Sequence, residues 1–165
     1  MITRRAPPGA PVVKKGAQPA LITVAWRRCT RVPGSAAQAS ASGLTLVQHS
    51  EEDFDLAVRS GLYATFFYMK HAYPYLKETA GSVINFASGA GLFGNFGQSA
   101  YAAAKEGIRG MSRVAATEWG KDGINVNVVC PLAWTAKLEQ FRDAYPDAFK
   151  ANVKMPPMGH YGNAE

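Results

Sequence analysis

The sequence predicts an α/β domain built on a parallel sheet with flanking helices. From Ser50 onward, segments with apolar residues at helical spacing alternate with short apolar runs, in the order helix, strand, helix, strand. The chain has 165 residues, 47% of them apolar, which is enough to bury a core without disulfides or metals. No internal repeat appears at any period, so a solenoid is excluded.

Residues 1–43 form a basic arm rich in Ala, Pro, Gly and Ser, and residues 44–165 form the α/β domain. Pro7, Pro8, Pro11, Pro19 and Pro33 interrupt the arm, and Leu21–Trp26 is its one strand-like run. That run is expected to add to a bare sheet edge, with residues 1–20 loosely packed. Three readings of the arm stay open: a flexible linker, an organelle transit peptide, or a segment that is not a natural start. Ser50-Glu-Glu-Asp53 reads as a helix cap with acids on the first turn. The helix that follows, residues 51–77, is expected to kink or end near Pro74. After a turn to Gly81, Val83–Ala87 reads as a buried strand and Gly89–Gly97 as a glycine-rich loop. A second helix, Ser99–Trp119, is closed by Gly120 or Gly123. Ile124–Cys130 is the next strand, parallel to the first and ended by Pro131. Ala136–Val153 is helical but irregular.

The net charge of +6 is uneven: residues 1–50 hold seven Lys or Arg and no acid, and the remainder sums to −1. The seven charges are scattered and no base-reading motif accompanies them, so no nucleic-acid partner is expected. No run of eighteen apolar residues exists, so no membrane span is expected. Cys29 and Cys130 lie a hundred positions apart and suggest no disulfide framework. A reducing, cytoplasmic setting is the expectation. His49, His71 and His160 have no neighbours at ligand spacing, and no metal is expected.

Two places offer chemistry. Gly89-Ala-Gly-Leu-Phe-Gly94 matches a dinucleotide fingerprint. It is discounted because that motif should open a helix directly and be followed by an acid at the next strand end. The stronger set is Ser88, Tyr101 and Lys105. Tyr101 and Lys105 are four apart on a helix and share a face, while Ser88 sits past a strand end, where open α/β sheets place their sites. A phenol titrates near 10 unaided. An ammonium about 4 Å away contributes roughly 4 kcal/mol at an effective dielectric near 20, enough to pull a tyrosine toward about 7. A serine hydroxyl beside it can hold the substrate oxygen.

Three stretches, Gly81–Gly91, Gly97–Gly107 and Gly123–Pro131, resemble the catalytic half of a short-chain dehydrogenase/reductase. The Ser-to-Tyr spacing of thirteen and the Tyr-x-x-x-Lys spacing both match. The resemblance covers about residues 44–160. It implies a doubly wound Rossmann-type fold and hydride transfer between an alcohol and a carbonyl with NAD or NADP. It makes Tyr101 the general acid/base, Lys105 the residue that lowers its pKa and holds the nicotinamide ribose, and Ser88 the one that positions the substrate. Pro131 and Thr135 then lie beside the cofactor, and Trp134, Phe141, Tyr145 and Phe149 cap an apolar substrate. It also implies a homodimer or homotetramer through helices 51–77 and 99–119. The departures are equally clear. The family's Thr-Gly-x-x-x-Gly-x-Gly turn is absent from these residues, Leu132 replaces a glycine, and Gly61 stands where the family's helix asparagine falls. A member truncated at both ends, lacking the usual N-terminal nucleotide-binding half and impaired in activity, is therefore expected. The alternative is a non-catalytic module that acts only through helix-mediated dimerisation.

Overall fold

The computed structural model describes residues 21–24 and 44–162. The expectations for residues 1–20, and Cys29 with them, lie outside the described residues. The chain divides into two compact units, Met1–Cys130 and Pro131–Glu165.

In the first unit, three parallel strands stand in the order β1-β2-β3. They are β1 (Leu21–Val24), β2 (Ser82–Phe86) and β3 (Asn125–Val129). Leu21 pairs with Ser82 and Val24 with Asn85, while on the other side Ser82 pairs with Asn125 and Phe86 with Val129. The expected parallel pairing of the two catalytic-half strands is therefore observed, and the Leu21 run does join the sheet. Its described strand ends at Val24.

The Ser50 cap forms as expected, with Ser50 Oγ accepting from the Asp53 N–H at 3.1 Å. The expected single helix over 51–77 is instead three segments: α1 (Glu51–Ala57), a π-helical stretch (Val58–Tyr63), and α2 (Ala64–Thr79). Pro74 does not end it. Met69 and Ala72 before the proline and Leu76 after it are all buried. Keeping those side chains in the core, at about 1.5–3 kcal/mol for a full-sized apolar side chain, offsets the roughly 3 kcal/mol cost of an interior proline. The helix stops at Ala80, which is left-handed at φ 47°. The Gly81 N–H then closes back onto the Leu76 carbonyl at 2.9 Å.

The glycine-rich segment is the second correction. Gly89–Phe93 is a short helix, α3, and not a loop, because Ser88 caps its N-terminus. The G-x-G-x-x-G run thus does open a helix, though one of five residues. The connection between β2 and β3 is completed by α4 (Ser99–Trp119), as expected, and a 3₁₀ turn, Gly120–Asp122, leads to left-handed Gly123. The core joins Met69, Ala72 and Leu76 of α2, Val83 of β2, Ala115 of α4, and Ile124.

In the second unit, the irregular helical stretch is two helices, α5 (Ala136–Ala144) and α6 (Pro146–Val153), broken at Tyr145 with Pro146 opening α6. The Trp134 N–H bonds the Gly162 carbonyl at 2.6 Å. The Phe149 ring lies 5.9 Å from Trp134 and 6.0 Å from Tyr161.

Candidate active site

Ser88 follows β2 by two residues in extended backbone, φ −151°. Its Oγ accepts from the Ala90 N–H at 3.2 Å. Capping α3 therefore fixes the serine hydroxyl at the C-terminal end of the central strand. Tyr101 and Lys105 are supplied by the first turns of α4. The Tyr101 hydroxyl is hydrogen-bonded to Ser88. The Lys105 side chain is buried, and Nζ donates to the Phe86 carbonyl at 2.8 Å and lies 5.7 Å from the centre of the Tyr101 ring. The three residues that the spacing picked out thus meet at one strand end.

The electrostatics differ from expectation. Burial pushes the Tyr101 phenol above its ordinary value; the Ser88 hydrogen bond pulls it back, and Cys130 pushes it further up. Desolvation is the largest of these effects, so the net direction is up rather than down. Partial burial of the phenol disfavours its charged form, and part of the ammonium's hydrogen-bonding capacity is committed to the Phe86 carbonyl.

Gly61 lies in the π-helical stretch, and its carbonyl accepts from Thr65 Oγ1 at 3.0 Å. A Cβ there would rest 3.5 Å from that of Ala104, the neighbour of Lys105, in ordinary contact. Pro131 and Thr135 belong to the second unit, where Thr135 Oγ1 accepts from the Leu138 N–H at 3.3 Å and caps α5.

One cluster was missed in the sequence. Arg109, four residues beyond Lys105, places Nη2 3.3 Å from the Ser88 carbonyl, 3.5 Å from Cys130 Sγ and 3.0 Å from Glu106 Oε1. The signal was present: Tyr101, Lys105 and Arg109 recur every four residues on one helix face. Among the described residues no group of three or more His, Cys, Asp or Glu has the arrangement to hold a metal ion. Among them no helix is long and apolar enough to cross a membrane.

A family model described as enoyl-(acyl carrier protein) reductase matches residues 20–165. The chain belongs to the short-chain dehydrogenase/reductase family. It is 69% identical over 129 residues to a 12α-hydroxysteroid dehydrogenase of Clostridium sp., across 78% of this chain and 50% of that protein. It is 36% identical over 133 residues to a (3R)-3-hydroxyacyl-CoA dehydrogenase of Rattus norvegicus, across 76% of this chain and 50% of that one. The chain spans about half the length of these curated relatives. Among solved structures, it matches ElxO with NADP bound at a TM-score of 0.64 and 26% identity, over 72% of this chain and 49% of that one. The TT0495 protein from Thermus thermophilus matches at 0.67 and 26%, over 73% and 52%. The short-chain dehydrogenase/reductase likeness thus agrees with the parallel α/β sheet, and the matched residues include Ser88, Tyr101 and Lys105.

Proposed function

We propose that this chain carries the reacting end of a nicotinamide-dependent oxidoreductase that interconverts a hydroxyl and a carbonyl on a steroid. The observation that carries the reading is the convergence of Ser88, Tyr101 and Lys105 at the end of β2. The substrate class rests on the 69% identity to a 12α-hydroxysteroid dehydrogenase. A nicotinamide dinucleotide, NAD or NADP, supplies or accepts the hydride when bound. The donor set suits such a group, because a buried ammonium beside a half-buried phenol matches ribose hydroxyls as acceptors. Lys105 is the residue that would hold it, and the family resemblance adds Pro131 and Thr135.

The chain's own residues divide the remaining work. Ser88 Oγ holds the substrate oxygen beside the phenol. Tyr101, a phenol and so protonated at neutral pH, donates its proton to a carbonyl oxygen as that oxygen gains charge. Run from hydroxyl to carbonyl, the same residue takes that proton back as a phenolate. Ser88 and the Lys105 ammonium stabilise the phenolate left behind.

The 165 residues hold no glycine turn of the pyrophosphate-cradling kind, and Gly61 offers no side-chain amide. Positioning supplies roughly 7–11 kcal/mol of a barrier. This chain by itself is therefore expected to bind NADH and NADPH weakly in a fluorescence titration. The chemistry is best tested in a chimera in which residues 44–165 replace the matching half of the Clostridium relative. That chimera should oxidise a 12α-hydroxysteroid, and Tyr101→Phe should lower kcat/KM by about 10²–10⁴-fold. Full activity in the Tyr101→Phe chimera would remove the reading.

A second reading is a module for helix-mediated dimerisation, favoured by one observation. Tyr63, Phe67 and Tyr68 are half or more exposed along the π-helical stretch and α2, with Phe66 and Val114 exposed nearby. Self-association through these helices is compatible with either reading.

A further inference from the structure

Arg109 lies outside the Ser88–Tyr101–Lys105 set, yet its side chain is only 12% exposed. Its Nη2 faces three elements at once: the Ser88 carbonyl after β2, the Cys130 thiol after β3, and the Glu106 carboxylate one turn back on α4. Its Nε is buried and has no hydrogen-bond partner among the described residues. A cation this enclosed is held by few groups, and the Ser88 carbonyl is one of them. Glu106 Oε1 is also buried and makes no hydrogen bond of good angle despite its 3.0 Å approach, so its hold on Arg109 is Coulombic. Room for that carboxylate comes from Gly91, where a Cβ would collide with it. Gly91, Glu106, Arg109 and Ser88 therefore form one chain of contacts. It runs from α3 across α4 to the end of the central strand.

We infer that Arg109 is a positioning residue for the Ser88–Tyr101 pair: steered by Glu106, its guanidinium fixes the Ser88 peptide against the end of β3 and so aims the serine hydroxyl at the phenol. Its catalytic meaning rests on the dehydrogenase reading above, but the coupling itself does not.

The test is a pH titration of the full chain carrying ¹³C-labelled tyrosine, with the Tyr101 resonance assigned from its loss in Tyr101→Phe. It needs neither cofactor nor substrate. The Ser88 hydrogen bond lowers the Tyr101 titration, so Ser88→Ala raises it. Arg109→Met is expected to raise it by the same amount. The double variant Ser88→Ala/Arg109→Met should move no further than either single one. Arg109→Lys, which keeps a donor for the Ser88 carbonyl, should recover most of the parent behaviour. Lys105 and Cys130 are the other ionisable groups around the phenol; because Arg109 also contacts Cys130, the variants are compared again in a Cys130→Ser background, where the same pattern is expected. Parent-like titration of Arg109→Met overturns the proposal, as does a double-variant shift equal to the sum of the single ones. If Arg109→Met loses its folded spectrum, Arg109→Gln is judged by the same two outcomes. An inactive chimera with this coupling intact would sink the dehydrogenase reading alone.

Discussion

Ser112 is buried on α4, donating to the Ile108 carbonyl at 2.7 Å and accepting from Asn85 Nδ2 at 2.8 Å. Asn85 itself is fully buried on the central strand, and its Oδ1 has no partner among the described residues. Among the described residues, Ser112→Ala leaves the amide N–H groups with only Met69 Sδ, a weak acceptor at 3.0 Å. The expected cost is about 1–3 kcal/mol, read as a fall in the urea midpoint at constant slope. At this scale, the sequence made Ser88, Tyr101 and Lys105 visible because chemistry demands those types at fixed spacing. Arg109 was hidden because an arginine on a helix reads as a solvated charge until the strand ends it reaches are placed. The direction of the Tyr101 shift was hidden for a related reason. Spacing gives the distance to a cation but not the loss of water around the phenol, and here desolvation is the larger effect.

Helix α2 is tied to the turn before β3 by a small polar clamp. The Tyr73 hydroxyl donates to Asp122 Oδ2 at 2.7 Å, and Lys77 Nζ lies 3.1 Å from Asp122 Oδ1. The Tyr73 ring packs 5.1 Å from that of Trp119. The Tyr73 hydrogen bond, seconded by Lys77, holds the Asp122 carboxyl below the usual carboxylate range, and Asp122 holds both Tyr73 and Lys77 above theirs. The depressed carboxyl contributes stability above about pH 4 that is lost as pH falls through its folded value. The raised phenol and ammonium contribute stability below about pH 10 that is lost as pH rises past it. Asp122→Asn should flatten the melting temperature against pH at both ends, as followed by circular dichroism; an unchanged profile would show the clamp to be idle. Both strands and α4 were legible within a residue or two, because period and caps agree there. The π-helical stretch and the passage through Pro74 were not, since burial on both sides of the proline is a tertiary fact. The glycine-rich run reads as a loop in the sequence because nothing there marks Ser88 as the cap that opens α3.

At the scale of the molecule, the π-helical stretch and α2 carry a run of exposed aromatic side chains, Tyr63, Phe66, Phe67 and Tyr68. If they mediate self-association, sedimentation velocity should show a concentration-dependent dimer or tetramer. Phe67→Glu combined with Tyr68→Lys should then shift it to monomer without loss of helicity. A variant that still sediments as the parent would exclude this face. The overall parallel architecture was readable from the alternation of helices and strands. The division into two units at Cys130 was not, because Pro131 announces the end of a strand without revealing that the following helices pack among themselves.

The place of β1 in the sheet bears on the order in which the molecule opens. Strands β2 and β3 are joined by one continuous crossover through α4, and they share a register of five residues. β1 meets β2 over four residues and comes from far earlier in the chain, so its closure carries a larger entropic cost for fewer ladder bonds. It should dock last and leave first. Hydrogen exchange ought then to release the amides of 21–24 through a low-energy local opening, while those of 82–86 stay protected until the unit unfolds as a whole. The molecule would thus pass through a form in which one flank of its central strand is bare while Ser88, Tyr101 and Lys105 are still assembled.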